Sequence, residues 1–259
     1  MNNSVLVKTK YGEFEIPEKG YGLAHIILKK GRHWEEETIN FMIKNCANKS
    51  IVSAGAYIGD FIIPLAKNTR GNVFTFEPEP VNILFSKKNI DLNRINNVIF
   101  SENGLSNKIS NGYLKCSGAG FYSNNKNADD INVDYLGEQA YLVDIPRDNT
   151  ISILLTDLDT FLSDKFITEE ISIIQLDIEG HEMEAFEGAK KTIAKNLPIL
   201  ISELPFDGDI YVFLKTMGYV LHERKIGHRF VDGSTYLNHI LYIPRIHSLI
   251  FDDVMLDTL

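Results

Sequence analysis

The sequence is poor in cysteine, in positive charge and in long apolar runs, and each shortage excludes a class of protein. Two cysteines, Cys46 and Cys116, are too few for a dense disulfide framework or a cysteine-rich zinc site. Lys and Arg number 26 against 35 Asp and Glu, and this acidity argues against sequence-independent nucleic-acid binding, which needs a basic surface. No apolar run of about 18 residues predicts a membrane span, and the N-terminal residues lack the apolar core of a signal peptide. We therefore expect a protein of the reducing cytoplasm.

The chain does contain the composition of a globular domain, with 44% hydrophobic and 24% charged residues. From about residue 48, short apolar runs alternate with longer amphipathic stretches, which indicates a parallel sheet wrapped by helices. The predicted strands are 50–54, 72–77, 97–101, 171–178 and 198–203, followed by 219–223 and 239–242, which are expected to pair antiparallel at the sheet edge. The predicted helices are 58–68, 80–93, 157–162, 182–195 and one beyond residue 209.

These patterns predict one main domain with an extension at each end. The domain runs from residue 48 to 246, and within it residues 106–149 predict an insertion of loops with a hairpin, because they are rich in Asn, Gly and Ser. Residues 1–47 predict an N-terminal extension with a lid-like helix over 35–45. Residues 247–259 predict a tail whose apolar residues dock on the sheet or on a second subunit, which would make a homodimer.

A glycine-rich turn lies between the first predicted strand and its helix. It reads S-A-G-A-Y-I-G from Ser53 to Gly59. Gly55 and Gly59 have no Cβ, so the chain can turn tightly and a ligand can approach the backbone. The N–H groups at the start of the following helix favour a negative group. Such turns are common in α/β folds, so this one alone is structural about as often as functional.

Glu77 ends the next predicted strand, 22 residues after Gly55. A carboxylate about 20 residues beyond such a turn can accept hydrogen bonds from both hydroxyls of a ribose. A solvated glutamate at a strand end is the alternative. The two features together predict an adenosine-containing ligand at the carboxyl ends of the first two strands. NAD, the cofactor of an oxidoreductase, is one candidate, although the glycines fall as G-A-Y-I-G instead of G-x-G-x-x-G.

Further motifs follow in a fixed order. They are F-E-P-E-P at 76–80, Q-L-D-I-E-G-H-E at 175–182, E-G-A at 187–189 and L-P-I-L-I-S-E at 197–203. With the glycine turn, they resemble the FkbM family of methyltransferases from about His33 to Tyr242. The resemblance implies a class I methyltransferase fold, Rossmann-like α/β, with a seven-stranded sheet, an antiparallel last strand and helices on both faces. It also implies methyl transfer from S-adenosyl-L-methionine to a hydroxyl of a sugar, a glycan precursor or another small metabolite.

The same resemblance assigns a cofactor site. The predicted cofactor-binding residues are Ser53, Gly55, Ala56, Tyr57, Gly59, Glu77, Pro78, Asn103, Gly104 and Asp177. The glycine turn would cradle the methionine part of the cofactor and Glu77 would hold its ribose. Pro78 would shape the adenine pocket, which Asn103 and Gly104 would border.

The chain departs from the family pattern at three positions. Ser53 stands where the family has an aspartate that opens the turn, and Tyr57 replaces an asparagine. Gln175 stands near the place of a lysine. Without the aspartate, the turn lacks a partner that orders it, so we expect these departures to affect the affinity for the cofactor. They also motivate an alternative function, a degenerate methyltransferase fold that binds a partner or metabolite without turnover.

Four residues are predicted to carry catalysis: Asp177, Glu179, His181 and Glu203. Methyl transfer to oxygen requires an aligned hydroxyl and a group that takes up its proton. Alternation predicts Asp177 and Glu179 on one face of a strand, and clustered acids raise one another's pKa. His181 begins a helix whose dipole keeps it neutral, although a structural role is the alternative. Three of these residues carry oxygen ligands suited to Mg²⁺ or Ca²⁺, but the spacing demands none, so we expect a metal-free mechanism.

Two groups outside the motifs are predicted to border the acceptor. His33, Trp34 and Glu35 fall where the family has an aromatic–acid pair and would help to close the pocket, with Trp34 as plain core the alternative. Aromatic residues of the insertion would stack on a sugar ring or else pack the loop down: Tyr113, Phe121, Tyr122 and Tyr135. The expected acceptor is a small molecule or a glycan.

Overall fold

The computed structural model describes residues 4–18, 23–116, 140–147, 150–203, 208–229 and 235–244. Its strands are β1 (Ser4–Lys8), β2 (Glu13–Pro17), β3 (Ser50–Ala54), β4 (Val73–Phe76), β5 (Val98–Ser101), β6 (Gly104–Leu105), β7 (Ser110–Cys116), β8 (Ala140–Val143), β9 (Thr150–Thr156), β10 (Ile171–Leu176), β11 (Ile199–Glu203), β12 (Tyr219–Arg229) and β13 (Thr235–Pro244). Its helices are α1 (Leu23–Lys29), α2 (Glu36–Asn45), α3 (Ile62–Asn68), α4 (Pro80–Leu92), α5 (Leu158–Asp164), α6 (Glu182–Glu187), α7 (Lys190–Asn196) and α8 (Gly208–Thr216).

Seven strands form one mixed sheet in the order β12–β13–β11–β10–β3–β4–β5. The five strands from β11 to β5 in this order run parallel to one another. The last strand, β13, runs antiparallel to both of its neighbours, β11 and β12. The predicted α/β fold, with a seven-stranded sheet and an antiparallel last strand, is therefore confirmed in these features.

Helices pack on both faces of this sheet, as predicted. Side chains alternate along β3, so Val52 and Ala54 point to one face and Ile51 points to the other. The first face is covered by α5, α6, α7 and α8, and the second by α2 and α3. Because both faces are buried, the carboxyl edge of the parallel strands is where polar side chains can meet a ligand.

Two predicted helices differ from the observed ones. The stretch 182–195 forms two helices, because the Gly188 carbonyl accepts a hydrogen bond from Asp159 N at 3.0 Å and the segment packs tightly against Ser106. A Cβ at Gly188 would lie 2.1 Å from the Ser106 carbonyl oxygen. The helix predicted from residue 58 begins only at Ile62, because the residues before it form a tight turn with Gly59 N donating to Ala56 O at 2.7 Å.

A β-hairpin near the N-terminus was not predicted. Strands β1 and β2 pair antiparallel, and β2 docks on α4 through two asparagines spaced four residues apart. Asn89 Oδ1 accepts from Glu15 N at 2.6 Å and Asn89 Nδ2 donates to Glu15 O at 3.0 Å. Asn93 bonds both backbone groups of Glu13, at 3.2 and 2.6 Å. The two amides thus complete the hydrogen bonding of one edge of β2.

Replacing Asn89 by alanine is expected to lower the free energy of unfolding by about 2–3 kcal/mol, because three buried or partly buried hydrogen bonds are lost. The third of them runs from Asn89 Nδ2 to Ile58 O at 2.9 Å. Urea unfolding measures the loss. The matched control is Asn68→Ala, whose amide Nδ2 donates to Pro64 O on its own helix at 2.8 Å. An equal loss in the control would contradict this account of the hairpin.

The remaining predictions for this region have mixed outcomes. Helix α2 packs Ile39 and Met42 on the sheet, and its proposed role as a lid stays a prediction. In the insertion, β7 pairs with β8 and β9 in a small sheet of order β6–β9–β7–β8. Phe121, Tyr122, Tyr135 and residues 247–259 lie outside the described residues. In the part of the chain that the structure describes, no helix has the length and apolarity to cross a membrane.

Candidate functional site

The glycine turn after β3 touches the loop after β10. These strands are neighbours, and Asp177 N donates to Ala54 O at 3.2 Å. Gly55 has φ +86°, and a Cβ there would lie only 2.0 Å from the Asp177 carbonyl oxygen. Glycine is therefore required at residue 55 both for the left-handed backbone and for the close approach. The contact sets Asp177 directly beside the turn.

Glu77 follows β4 and lies beneath the same turn. Its side chain is buried, and its two oxygens accept hydrogen bonds from Tyr57 N at 2.8 Å and Glu79 N at 2.9 Å. Burial raises the pKa of Glu77 to about 8, and the two N–H donors oppose the rise. The Asn82 side chain also bonds the Glu77 carboxyl group and opposes the rise. Two carboxylate oxygens offer about four lone pairs, so Glu77 has room for one further bond from a ligand's hydroxyl while it braces the turn.

Three carboxyl groups meet at the carboxyl edge of β10 and β11. Asp177, Glu179 and Glu203 each place an oxygen within 4.8 Å of the others, a spacing that one cation could bridge. Burial, and then the neighbouring Asp177, raises the pKa of Glu203 to about 10. Burial and Asp177 also raise the pKa of Glu179, to about 7. At neutral pH, Glu203 therefore keeps its proton and bonds to Asp177, while Glu179 is poised to gain or lose one.

The predicted reason for this cluster was wrong. Strand β10 ends at Leu176, so Asp177 and Glu179 are not alternating strand residues. Glu179 instead has a left-handed backbone with φ 56°, a conformation that is strained for a residue with a Cβ. The Glu182 carboxylate holds this loop by accepting from Ile178 N at 3.1 Å and from Gly180 N at 3.3 Å. A folded-back loop thus brings the carboxyl groups together.

Two further acids border the cluster. Asp60 follows the glycine turn, and burial, Glu35 and Asp177 raise its pKa to about 7. Glu35 is buried at the N-terminal end of α2 and acts electrostatically on both Asp60 and Glu203. Sequence reasoning missed Asp60, although its position directly after Gly59 is a usable signal. Glu35 was expected only to help close the pocket.

His181 lies beside the small sheet. Its Nε2 is 3.0 Å from Ser106 Oγ, and its Nδ1 is 3.5 Å from Glu184 Oε2. Burial lowers the pKa of His181, against the opposing effect of nearby carboxyl groups. Burial thus favours a neutral imidazole near pH 7. Ser106 was not identified from the sequence.

The residues predicted to border an adenine also come together. Pro78 follows Glu77, and Gly104 begins β6 after Asn103. A Cβ at Gly104 would lie 2.8 Å from a Leu155 methyl carbon and 3.8 Å from Pro78 Cγ. Asn103 N donates to Ser101 Oγ at 3.3 Å. Pro78 and Asn103 thus follow the neighbouring strands β4 and β5 at the carboxyl edge beside Glu77, and their role at an adenine stays a prediction.

Two of the three departures from the family pattern contact each other. Ser53 and Gln175 are register partners on β3 and β10, and Ser53 Oγ donates to Gln175 Oε1 at 2.5 Å. Both side chains are buried, and Thr75 Oγ1 donates to Ser53 O at 2.8 Å. A neutral hydrogen bond therefore occupies this place in the sheet. The turn is ordered without the aspartate.

Replacing Ser53 by alanine is expected to lower the free energy of unfolding by about 1–2 kcal/mol, because Gln175 Oε1 loses its buried donor. The double variant Ser53→Ala/Gln175→Leu is expected to recover most of the loss, since removing both partners leaves no unpaired polar group. Thermal unfolding of the two variants measures this difference. A double variant less stable than Ser53→Ala would contradict the pairing.

The comparisons with known proteins agree with these motifs. A family model described as the methyltransferase FkbM domain matches residues 53–221, more than half of the chain. The chain belongs to the FkbM methyltransferase family. The match begins at the glycine turn and includes Glu77 and the acid cluster, although it is shorter at both ends than the similarity expected from His33 to Tyr242.

Among solved structures, the chain is similar to the methyltransferase FkbM from Methylobacillus flagellatus KT, with 17% identity and a TM-score of 0.46 over 75% of this chain. It spans only 43% of that protein's length. A putative O-methyltransferase from Klebsiella pneumoniae has 9% identity and a TM-score of 0.44, over 80% of this chain and 78% of that one. M. jannaschii TYW2, solved with AdoMet, has 16% identity and a TM-score of 0.44, over 93% and 85%. No curated protein matches the sequence.

Proposed function

We propose that this FkbM-family chain is an S-adenosyl-L-methionine-dependent O-methyltransferase with a class I fold. Its acceptor is a hydroxyl group of a sugar, a glycan precursor or another small metabolite. The observation that carries the proposal is the family match across a glycine turn that is braced by the buried carboxylate of Glu77. We further propose a cytoplasmic enzyme whose methyltransferase domain runs from residue 48 to 246 and contains the insertion 106–149, with residues 1–47 as an N-terminal extension.

The residues at this site fit the cofactor. Glu77 is placed to bond a ribose hydroxyl beside the turn that it braces, and the turn at Gly55 offers bare backbone to the methionine part. Pro78 and Gly104 provide an apolar edge for the adenine. Bound S-adenosyl-L-methionine supplies an electrophilic methyl group on a sulfonium sulfur. The negative charges around Asp177 favour a cation at this end of the site.

Glu179 is the residue that we assign as the proton acceptor. Its side chain is half-buried and thus within reach of a substrate. The next residue, Gly180, borders open space, because a Cβ added there would meet no atom within 4 Å. Its pKa of about 7 suits a base that works near neutral pH. Glu203, which keeps its proton, holds Asp177 by a hydrogen bond, and neither role needs a metal.

Calorimetric titration with S-adenosylhomocysteine tests the cofactor site. Glu77→Ala should lose binding, and the matched control Glu102→Gln, an exposed residue paired with Lys87, should keep it. A panel of hydroxylated acceptors is then screened for release of S-adenosylhomocysteine, with and without EDTA. Binding without turnover of any acceptor would favour the degenerate fold. If fluorescence instead detects binding of NAD, the result would favour the alternative function of an oxidoreductase.

A further inference from the structure

Ser106 connects the small sheet to the start of α6. It directly follows β6, its N–H donates to Thr156 O of β9 at 2.8 Å, and its side chain is buried. Its hydroxyl oxygen is 3.0 Å from His181 Nε2. The two residues are 75 positions apart in the chain. Their contact is a direct link between the insertion side of the molecule and the loop that carries Glu179.

The other ring nitrogen determines which atom donates in this link. His181 Nδ1 faces the carboxylate of Glu184, which can only accept a hydrogen bond when it is ionised. The carboxyl groups of Glu182 and Asp144 also act on the ring, and burial keeps it neutral near pH 7. A neutral ring with its proton on Nδ1 has a lone pair on Nε2. The Ser106 hydroxyl must then donate to Nε2.

We propose that Ser106 is a positioning residue, which fixes the orientation and the Nδ1–H tautomer of His181 and thereby holds the loop of Glu179. This inference rests on the proposed function, because it assigns a role in presenting the proton acceptor. Glu179 lies two residues before His181 and has a strained backbone with φ 56°. The Glu182 carboxylate fixes the N–H groups on either side of it. The bond from Ser106 to His181 fixes the end of the same loop.

A second contact supplies the control. Asn107, the next residue, donates from Nδ2 to Glu187 Oε2 at 3.0 Å, at the opposite end of α6. Removing this bond loosens the same pair of elements without touching His181. Asn107→Ala therefore separates a general weakening of the interface from a specific effect on the imidazole.

Nitrogen-15 spectra of the histidine rings test the proposal in the intact chain. We expect His181 to carry its proton on Nδ1 at pH 7, Ser106→Ala to give a mixture of tautomers, and Ser106→Thr to restore the single form. Asn107→Ala should keep the wild-type spectrum. If Ser106→Ala does not fold, Glu184→Gln provides the same test from the half-exposed side, because an amide can donate to Nδ1 and so favour a proton on Nε2. A wild-type ring protonated on Nε2 would overturn the proposal.

Activity gives the second readout, with the acceptor that the screen identifies. Ser106→Ala should lower kcat about tenfold or more, because a misplaced base loses its alignment, while the Kd for S-adenosylhomocysteine is unchanged. Ser106→Thr should recover most of the rate. If the wild-type chain does not bind S-adenosylhomocysteine, the proposed function itself fails. Intact binding with an unchanged kcat in Ser106→Ala would overturn only the positioning role.

Discussion

Gly55→Ala is expected to abolish S-adenosylhomocysteine binding and to lower the free energy of unfolding by about 3 kcal/mol or more. The new Cβ would lie 2.0 Å from the Asp177 carbonyl oxygen, a backbone atom that cannot move without displacing the loop. The backbone φ of +86° adds strain for any residue with a Cβ. Urea unfolding and calorimetry on one preparation measure both effects.

Gly180→Ala is the matched control for this prediction. Gly180 has φ +95°, but a Cβ there would meet no atom within 4 Å. Only the left-handed strain remains, which costs about 1–2 kcal/mol, and binding should persist. Equal losses of stability in the two variants would show that the contact between the turn and Asp177 contributes nothing. A folded Gly55→Ala protein that binds normally would contradict the placement of the cofactor.

The ligand-free protein is expected to lose stability as the pH rises from about 6.5 to 8. This window lies above the range in which the buried histidines His25 and His33, with pKa values lowered to about 4, oppose the loss. Asp60 and Glu179 have pKa values raised to about 7, and Glu77 to about 8, all above their ordinary values near 4. The folded state therefore holds protons that the unfolded state has released. For each such group the stabilisation is complete below the unfolded pKa and declines until the pH reaches the folded pKa. The loss should be about 3 kcal/mol or more, measured as Tm against pH.

Glu203→Gln should flatten this profile. Its pKa is raised to about 10 in the folded state. At pH 8 the side chain is ionised in the unfolded chain and must take up a proton when the chain folds, which costs free energy. Glutamine has no such cost and still donates to Asp177. We expect the variant to match the wild type near pH 5 and to be more stable by about 2 kcal/mol at pH 8. The exposed Glu102→Gln should follow the wild-type curve. A wild-type Tm that rises between pH 6.5 and 8 would contradict the raised pKa values.

Features that depend on local pattern could be predicted from the sequence. The strands and helices follow from hydrophobic periodicity, and the glycine turn with Glu77 follows from a spacing that parallel strands bring to one edge. Pro78 and Asn103 follow the ends of the neighbouring strands β4 and β5, at that same edge. These features are predictable because each motif residue directly follows the end of its own strand in the chain.

Features that depend on tertiary contacts could not. The bond from Ser106 to His181 joins residues 75 positions apart, one after β6 and one before α6, and only burial reveals the charge coupling of Asp60. The N-terminal hairpin is held by side chains of α4, which no local pattern encodes. Glu179 reaches the cluster through a left-handed backbone that favours glycine, so its position contradicts the alternation expected for a strand. Each of these misses reflects a tertiary constraint that overrides local preference.

The most direct test of the account is calorimetric titration of the purified chain with S-adenosylhomocysteine, repeated on Glu77→Ala. We predict a Kd in the micromolar range, about −8 kcal/mol, and a loss of about 100-fold or more in the variant. The loss follows because the Glu77 carboxyl group, which accepts from Tyr57 N and Glu79 N, is the group that we propose to hold the ribose. No heat from a folded wild-type chain, or equal affinity in Glu77→Ala, would contradict the cofactor site and with it the proposed methyl transfer.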